Sequence, residues 1–159
     1  MVRFGVIAGP RQMGKTDQGV VTLWVAKHYW NQPLKYIGYG GKGKQVRDIL
    51  HIDDLIALIV IQIHEIEKFS GKVYNAGGGL KTSTSLLEMT RLCAEITGNK
   101  LQIGSELENR PADLRIFITD NSRIEREIGW KPLKKVEDIL TDTFNWINKN
   151  EKQLKNILK

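Results

Sequence analysis

The stretch from Gly9 to Thr16, GPRQMGKT, contains residue types that could bind the phosphates of a nucleotide. It matches the pattern G-x-x-x-x-G-K-[ST], in which backbone N–H groups surround the phosphates, the lysine adds positive charge and the hydroxyl binds magnesium. The pattern requires a buried strand before it and a helix after it. Val2–Ala8 is apolar enough for the strand and a helical pattern follows Thr16, so one hypothesis is an ATPase.

Two residues of the following helix argue against this hypothesis. Asp17 would place a carboxylate in the first turn, where the polyphosphate should lie, and Gly19 is a poor helix former at the same place. An ATPase also needs an apolar strand that ends in an aspartate for magnesium, and Leu114–Asp120 is the one candidate. Such an aspartate is equally a common helix cap. The P-loop NTPase therefore stays as the alternative function.

The composition is that of an ordinary globular domain. The chain has 159 residues, of which 41% are hydrophobic and 26% charged, which predicts a single domain with a core of its own. The net charge of +6 comes from dispersed lysines and no nucleic-acid motif accompanies them, so we expect no nucleic-acid partner. Cys93 is the single cysteine, and His28, His51 and His64 lack metal-ligand spacing, so we expect neither a disulfide nor a metal site.

The longest apolar run, Leu55–Ile63, is too short to span a bilayer. The N-terminus also lacks the pattern of a signal peptide. We therefore expect a cytoplasmic protein with no membrane partner.

Strand-like and helix-like segments alternate along the chain, which predicts an α/β fold. One helix start is especially clear, because Ser85 and Glu88 have the spacing of a capping box. Asp54 is the predicted cap of the helix at residues 53–70, and Ser122 is the predicted cap of the short helix that ends at Gly129. The predicted strands lie at residues 2–8, 34–38, 45–51, 72–76, 100–105 and 114–119. The predicted helices lie at residues 19–30, 53–70, 85–97 and 122–129, and from 136 onward.

Four stretches occur in an order that resembles one known family. They are Arg3-Phe4-Gly5 with Gly9–Gln12, Lys44–His51 with Asp54, Tyr74–Gly78, and Arg110–Asp113 followed by Asp120, Ser122 and Gly129–Pro132. This series resembles the C-terminal half of extended short-chain dehydrogenases/reductases, the NAD-dependent nucleotide-sugar epimerases and dehydratases. Asp17–Gly19 and Gly43–Asp48 are most similar to the CDP-paratose (CDP-tyvelose) 2-epimerase group. The resemblance covers nearly the whole chain, and it implies that GPRQMGKT borders a sugar-nucleotide cleft.

The resemblance implies a particular α/β architecture, the C-terminal substrate-binding portion of an extended Rossmann-type epimerase that lacks most of the cofactor-binding half. Residues 1–159 would form a single sugar-nucleotide-binding domain. Residues 1–9 and 72–78 would be strands of the truncated Rossmann sheet. The expected role is the nucleotide-sugar-binding part of an isomerase or dehydratase of carbohydrate metabolism.

Catalysis in this family is hydride transfer between a sugar carbon and NAD, assisted by a Tyr-x-x-x-Lys pair. None of the four tyrosines has a lysine four residues later, and the dinucleotide fingerprint is absent as well. We therefore assign no catalytic and no cofactor-binding residue, and expect NAD in the complete enzyme but none tightly bound to this chain alone. The missing N-terminal cofactor half would be supplied in cis or in trans. A noncatalytic binding or assembly module derived from the epimerase is a further hypothesis.

The expected ligand is a nucleotide-diphosphate sugar of the CDP or UDP type, whose diphosphate calls for bidentate arginines. The resemblance places Arg47 and Arg110 on the diphosphate, with Asp113 contacting the ribose or orienting Arg110. Two other interpretations stay open: an ion pair of Arg47 with Asp48 or Asp54, and Arg110 as an ordinary surface arginine.

The resemblance assigns further contacts to one strand and one loop. Lys35, Tyr36 and Ile37 match the strand that holds the base, although Tyr36 could equally be an ordinary strand residue. Gln12 and Gln18 are candidate sugar contacts. A parallel sheet is normally covered on both faces, so without the other half apolar surface near residues 2–8 and 73–76 would be exposed. A homodimer is therefore one expectation.

Overall fold

The structure is a computed structural model that describes residues 1–15, 18–111 and 113–159. The strands are β1 (Val2–Phe4), β2 (Val6–Ala8), β3 (Leu34–Ile37), β4 (Val46–His51), β5 (Tyr74–Ala76), β6 (Ser83–Ser85), β7 (Ile103–Glu106) and β8 (Ile116–Phe117). The helices are α1 (Val20–Tyr29), α2 (Ile52–His64), α3 (Ile66–Phe69), α4 (Leu86–Thr97), α5 (Ser122–Ile128), α6 (Val136–Lys149) and α7 (Glu151–Leu158). The α/β class predicted from the alternating segments is confirmed.

The apolar segment 2–8 forms two strands where the sequence predicts one. β1 pairs in parallel with β5, and β2 pairs in parallel with β4. The break falls at Gly5, where a Cβ atom would lie 2.8 Å from Thr119 Oγ1. Because real Cβ atoms do not approach a side-chain oxygen so closely, glycine is needed for the chain to pass from one sheet to the other.

β4 organises the larger sheet. Its first half pairs with antiparallel β6 and with parallel β8, and its second half pairs with β2. β3 and β7 form a separate parallel pair. β4 ends at His51 and α2 begins at the next residue. This strand therefore connects β6 and β8 at its start with β2 and α2 at its end.

Local hydrogen bonds explain where the helices begin. The capping box predicted for α4 is confirmed, because Ser85 accepts from the Glu88 amide and the Glu88 carboxylate accepts from the Ser85 amide. The prediction that Asp54 caps α2 is wrong. The cap is His51, whose Nδ1 accepts the Asp53 N–H at 3.0 Å, while the Asp54 carboxylate accepts the Lys134 N–H.

Two further helix predictions need correction. The last predicted helix is interrupted at Asn150, which ends α6 and begins α7. The cap residue of α5 is Asn121, with the Ser122 N–H donating to Asp120 Oδ1. Among the described residues, no helix combines the length and the apolarity that crossing a bilayer requires.

The apolar side chains form two clusters. In the first cluster, α1, α4 and α6 pack on one another, with Cys93, Ile139 and Leu140 fully buried. The second cluster joins α2, β5 and α5 through Leu58, Tyr74 and Ile124. It is smaller than the first, and the partly buried Val2 of β1 packs against its edge.

Candidate functional site

A cleft of about 1220 Å³ opens on the side of the first cluster. Its walls include β2, α1, β3, β4, the end of β6, the start of α4 and the loop between β7 and β8. The register of the parallel β2–β4 pair sets Val6 beside Ile49 at its base, and both line the cleft. Its other apolar lining residues include Val20, Leu23 and Trp24 of α1, Leu34 and Ile37 of β3, and Met89 of α4.

Arg47 projects from β4 into this cleft, where Asp113 holds its guanidinium group. Arg47 Nη2 donates to Asp113 Oδ1 at 2.6 Å, and Nη1 donates to the Val46 carbonyl at 2.7 Å. Each of the two charged side chains keeps 25% of its surface exposed. Since a guanidinium has five N–H donors, this geometry leaves donors for a ligand while fixing the plane of the group.

The alternative partners of Arg47 have other roles. The Asp48 carboxylate is fully buried and accepts the Gly79 N–H at 3.0 Å. Asp54 lies beyond the end of β4 and accepts the Lys134 N–H. The interpretation of Arg47 as an ion-pair partner of Asp48 or Asp54 is therefore wrong, because its carboxylate partner is Asp113.

Arg110 lines the same cleft from the loop between β7 and β8. Its loop is closed by the Asp113 N–H, which donates to the Arg110 carbonyl at 3.3 Å, and by the Tyr39 hydroxyl, which donates to the Asp113 carbonyl at 2.6 Å. Among the lining residues that the structure describes, four are cationic (Lys27, Lys35, Arg47 and Arg110) and one is a carboxylate (Asp113). The cleft is therefore suited to a ligand with more than one negative charge.

β3 presents its residues to different surroundings. Lys35 and Ile37 line the cleft, and Lys35 also forms an ion pair with Glu106 at the exposed rim. Tyr36, by contrast, is 7% exposed and is not a lining residue. Its ring stacks with Trp24 and its hydroxyl donates to Thr90 Oγ1, so the assignment of a direct ligand contact to this side chain needs correction.

The two predicted glutamines differ in how firmly they are held. Gln12 lines the cleft, but its amide Nε2 donates to the Ile7 carbonyl at 2.7 Å and its Oε1 accepts from Thr22 Oγ1 at 3.2 Å. This side chain joins β2 to α1 and is occupied by protein groups. Gln18 also lines the cleft and is exposed.

Lys27 and Gln45 are lining residues that the sequence did not single out. Lys27 lies in the last turn of α1, where a lysine is ordinary, so its type carries no signal. Gln45 precedes Arg47 in the recognised KQVRD stretch and donates its Nε2 proton to the Ile37 carbonyl, which ties β3 to the start of β4. The KQVRD motif is therefore the sequence signal that could have identified Gln45 as a cleft residue.

Residues 18 and 19, which the structure describes just after the GPRQMGKT segment, are not helical. α1 begins at Val20, with Gly19 in the left-handed region as its cap. Gly14 lies against α1 so closely that a Cβ there would be 2.4 Å from the Leu23 nitrogen. Thr16 completes the ATPase pattern, and Asp17 is the first residue that argues against it. Both lie outside the described residues.

The glycine turn after β5, Gly77–Gly79, is a second glycine-rich segment that follows a strand. Its amides are already used: Gly77 N–H donates to Asn121 Oδ1 at 3.0 Å, and Gly79 N–H donates to Asp48 Oδ2 at the same distance. A Cβ at Gly78 would lie 1.9 Å from Thr82 Oγ1, so no space is left beside the turn. This turn does not fit the pyrophosphate of a dinucleotide cofactor.

Comparison with known proteins gives a consistent result. A family profile described as GDP-mannose 4,6 dehydratase matches residues 5–143. CDP-paratose 2-epimerase of Salmonella typhi is 32% identical over 146 residues, which cover 91% of this chain and 43% of that protein. dTDP-glucose 4,6-dehydratase of Streptomyces griseus is 33% identical over 89% of this chain and 40% of its own length.

A solved structure shares the fold. UDP-glucuronic acid 4-epimerase from Bacillus cereus, in complex with UDP-glucuronic acid and NAD, superposes with a TM-score of 0.80 at 24% identity. The match covers 93% of this chain and 44% of that one. The chain thus spans less than half the length of these relatives.

Proposed function

Since this chain belongs to the extended short-chain dehydrogenase/reductase family of nucleotide-sugar epimerases and dehydratases, we propose that its cleft binds the nucleotide-diphosphate sugar of such an enzyme. The ligand is a pyrimidine nucleotide sugar of the CDP or UDP type. The protein supplies the substrate-binding part of an NAD-dependent epimerase or dehydratase that works in the cytoplasm.

One observation carries this proposal: Arg47, held by Asp113, shares a cleft with Arg110 and two lysines. A diphosphate bears about two negative charges, and a planar guanidinium donates two parallel hydrogen bonds to phosphate oxygens. Fixing the Arg47 side chain in advance lowers the entropy lost when the ligand binds. Arg47 and Arg110 are therefore assigned to the diphosphate, with Asp113 positioning Arg47.

The remaining lining residues suggest how the ligand lies along the cleft. Ile37 and the neighbouring backbone of β3 offer an apolar wall and peptide groups to the base, with Lys35 at the rim. Gln18 is assigned to the sugar because its exposed side chain lines the cleft. Gln12 shapes the cleft by holding β2 against α1.

Catalysis needs a second component in this proposal. When bound, NAD supplies the hydride chemistry, and the glycine turn after β5 has its amides committed to Asn121 and Asp48. The Tyr-x-x-x-Lys pair is missing from the sequence. We therefore assign the cofactor and the acid–base residue to a cofactor half, in cis or in trans, and assign substrate binding to this chain.

Calorimetric titration with CDP and UDP tests the proposal. Arg47→Gln should weaken binding of the preferred diphosphate by about 10- to 100-fold, because hydrogen bonds to a charged group contribute roughly 1.5–3 kcal/mol. Arg47→Lys should give an intermediate loss of affinity, since lysine keeps the positive charge but lacks the paired, planar N–H donors of the guanidinium group. Arg126→Gln on the exposed face of α5 is the matched control and should bind like the original protein.

Three results would point elsewhere. Equal affinity of Arg47→Gln and Arg126→Gln would remove the diphosphate assignment. Stabilisation by ATP with magnesium, lost in Lys15→Ala and absent with CDP and UDP, would establish the P-loop NTPase instead. Pyrimidine diphosphate binding without any NAD-dependent turnover, even when a matching cofactor half is added, would favour the noncatalytic module.

A further inference from the structure

The turn that follows β3, residues 38–43, holds most of its backbone in the left-handed region. Gly38, Gly40, Gly41 and Gly43 have positive φ angles, and so does Tyr39, at 50°. Glycine adopts this region at no steric cost, whereas a residue with a Cβ is strained there. Such strained residues persist only where the surrounding structure holds them, and they cluster at functional sites. A tyrosine among four such glycines therefore indicates a role for its side chain.

Tyr39 binds the loop between β7 and β8 at two points. Its N–H donates to Asn109 Oδ1 at 2.7 Å, and its hydroxyl donates to the Asp113 carbonyl at 2.6 Å. The turn also lies directly against the start of this segment, because a Cβ at Gly41 would be 1.8 Å from Ser105 Oγ. Tyr39 therefore holds the two residues that flank Arg110 on either side of its loop.

Asp113 links Tyr39 to the guanidinium group of Arg47. Both polar groups of the Asp113 backbone are bound, because its N–H donates to the Arg110 carbonyl at 3.3 Å and its carbonyl accepts the Tyr39 hydroxyl. From this fixed backbone the Asp113 carboxylate accepts Arg47 Nη2 at 2.6 Å. The Tyr39 hydroxyl therefore acts on Arg47 through Asp113.

The ion pair of Arg47 with Asp113 needs such support. Each side chain keeps 25% of its surface exposed, and an exposed ion pair gains little because holding two side chains in one geometry costs entropy. Asp113 also lies in the segment 107–115, which connects β7 to β8. Connecting segments are more mobile than the strands they join. A hydroxyl that ties this segment to the turn after β3 reduces the ordering that a ligand would otherwise have to cause.

We propose that Tyr39 is a positioning residue for the diphosphate. Its hydroxyl fixes the segment that carries Arg110 and Asp113, and thereby sets both arginines before the ligand binds. This inference rests on the proposed function, in which Arg47 and Arg110 bind the diphosphate. Among the described residues that line the cleft Tyr39 is absent, so it acts without touching the ligand.

Nuclear magnetic resonance spectroscopy of the ligand-free protein tests the geometry. A guanidinium group held by a carboxylate rotates slowly, so its Nη–H signals are sharp and separate at low temperature, and Arg47→Lys identifies them by removing them. Tyr39→Phe should broaden the Arg47 signals towards those of exposed arginines. Tyr29→Phe is the matched control, because it also removes one tyrosine hydroxyl that donates to a protein group, Asn148 Oδ1 at 3.0 Å.

Calorimetric titration with CDP and UDP tests the consequence for binding. Tyr39→Phe should weaken binding of the preferred diphosphate by about 3- to 10-fold, the effect of losing one neutral hydrogen bond, and Tyr29→Phe should leave it unchanged. In the Arg47→Gln background the same change at Tyr39 should cost at most about twofold, because only Arg110 is then left to position. A merely structural role would give the same factor in both backgrounds.

Two results would overturn the positioning role. One is an Arg47 signal that is the same in Tyr39→Phe as in the original protein, and the other is an equal loss of affinity with and without Arg47. If the original protein binds neither CDP nor UDP, the proposed function is wrong, and with it the ligand of this inference. The resonance signals still decide in that case whether Tyr39 holds Arg47, so the two proposals fail separately.

Discussion

In the first cluster α1, α4 and α6 enclose Ile139, Leu140 and Ile147 so completely that these residues have no exposed surface. In the second cluster α2 buries Leu58 equally well, yet Ile59, the next residue, is half-exposed. Both regions use the same aliphatic residue types. They differ in whether the described chain provides a layer on each side.

This difference separates two tasks within one chain. The closed first cluster supports β2, α1 and β3, which line the cleft, so in the proposed function the ligand is bound by the part whose core the described chain encloses. The second cluster supports β1 and α2, which face outward. Under the proposed function, substrate binding should therefore be a property of this chain, whereas the redox reaction should need the cofactor half.

The largest expected contrast between the regions is in thiol reactivity. Burial raises the pKa of the Cys93 thiol from an ordinary value of 9.0 to about 12. At pH 8 the reactive thiolate should be about a thousandfold scarcer than for a solvated cysteine. A cysteine introduced by Ile63→Cys should react with a disulfide reagent at the ordinary rate, and Cys93 only after denaturation. Fast labelling of native Cys93 would mean that the first cluster opens readily.

A core truncation should separate the regions by stability. Leu140→Ala leaves a cavity at a site with no exposed surface, which typically costs about 2–5 kcal/mol of unfolding free energy. Urea denaturation followed by circular dichroism measures the loss. Ile56→Ala on the outer face of α2 is the control, because its side chain is half-exposed. An equal loss in both variants would remove the distinction between the clusters.

A pH dependence should come from the first region as well. Burial lowers the pKa of His28, whose Nδ1 is bonded to the Trp24 carbonyl at 2.7 Å. In the unfolded chain His28 binds a proton at a higher pH than it does in the native chain. The unfolding free energy should therefore fall as the pH drops below about 6.5. Above that pH the contribution is fully present.

The measurement is urea denaturation at pH 7.5 and pH 5.5. His28→Leu should flatten the change between the two values, and His64→Asn on exposed α2 should leave it as it was. If His28→Leu keeps the full slope, the pH dependence arises from other groups.

The smallest effect should come from the apolar stripe on the outer face of α2, which is made of Ile56, Ile59, Val60 and Ile63. Ile59→Gln exchanges one half-exposed side chain for a good helix former, and such surface changes usually stay within about 0.5 kcal/mol. Thermal melts of the purified chain check this. A large destabilisation would show that the chain itself, through self-association or a rearrangement, already covers the stripe.

Local signals made part of the fold predictable from the sequence. The start of α4 was found because Ser85 and Glu88 satisfy each other within four residues. The division of residues 2–8 at Gly5 was missed, because it depends on β4 and β5, which lie far along the chain. The sequence led us to expect exposed apolar surface on the strands at residues 2–8 and 73–76. The structure also exposes an apolar stripe on α2, and the apolar pattern of this helix did not tell its buried side from its exposed side.

The cleft was predicted in outline, and its details depend on tertiary contacts. Arg47, Arg110 and Asp113 were named from the motifs and do line one cleft. The alternative interpretation of Arg47 considered only the nearby Asp48 and Asp54 as ion-pair partners, but its carboxylate partner is Asp113, 66 residues away. Tyr36 was assigned to the base because the resemblance assigns the whole strand at residues 34–38 to the base. Its ring is enclosed by Trp24 of α1 and Thr90 of α4, and these tertiary contacts could not be predicted from the sequence.

The strand pairing has a consequence for folding kinetics. Among the described strands, the partners closest in sequence are Asp48 and Ser83, 35 residues apart, and Val2 pairs with Tyr74 across 72 residues. Every sheet contact therefore has to close a long loop before it contributes stability, which raises contact order and slows the search. The helices can form early, but the chain should reach its native state only when its first eight residues find strands that are made much later during synthesis.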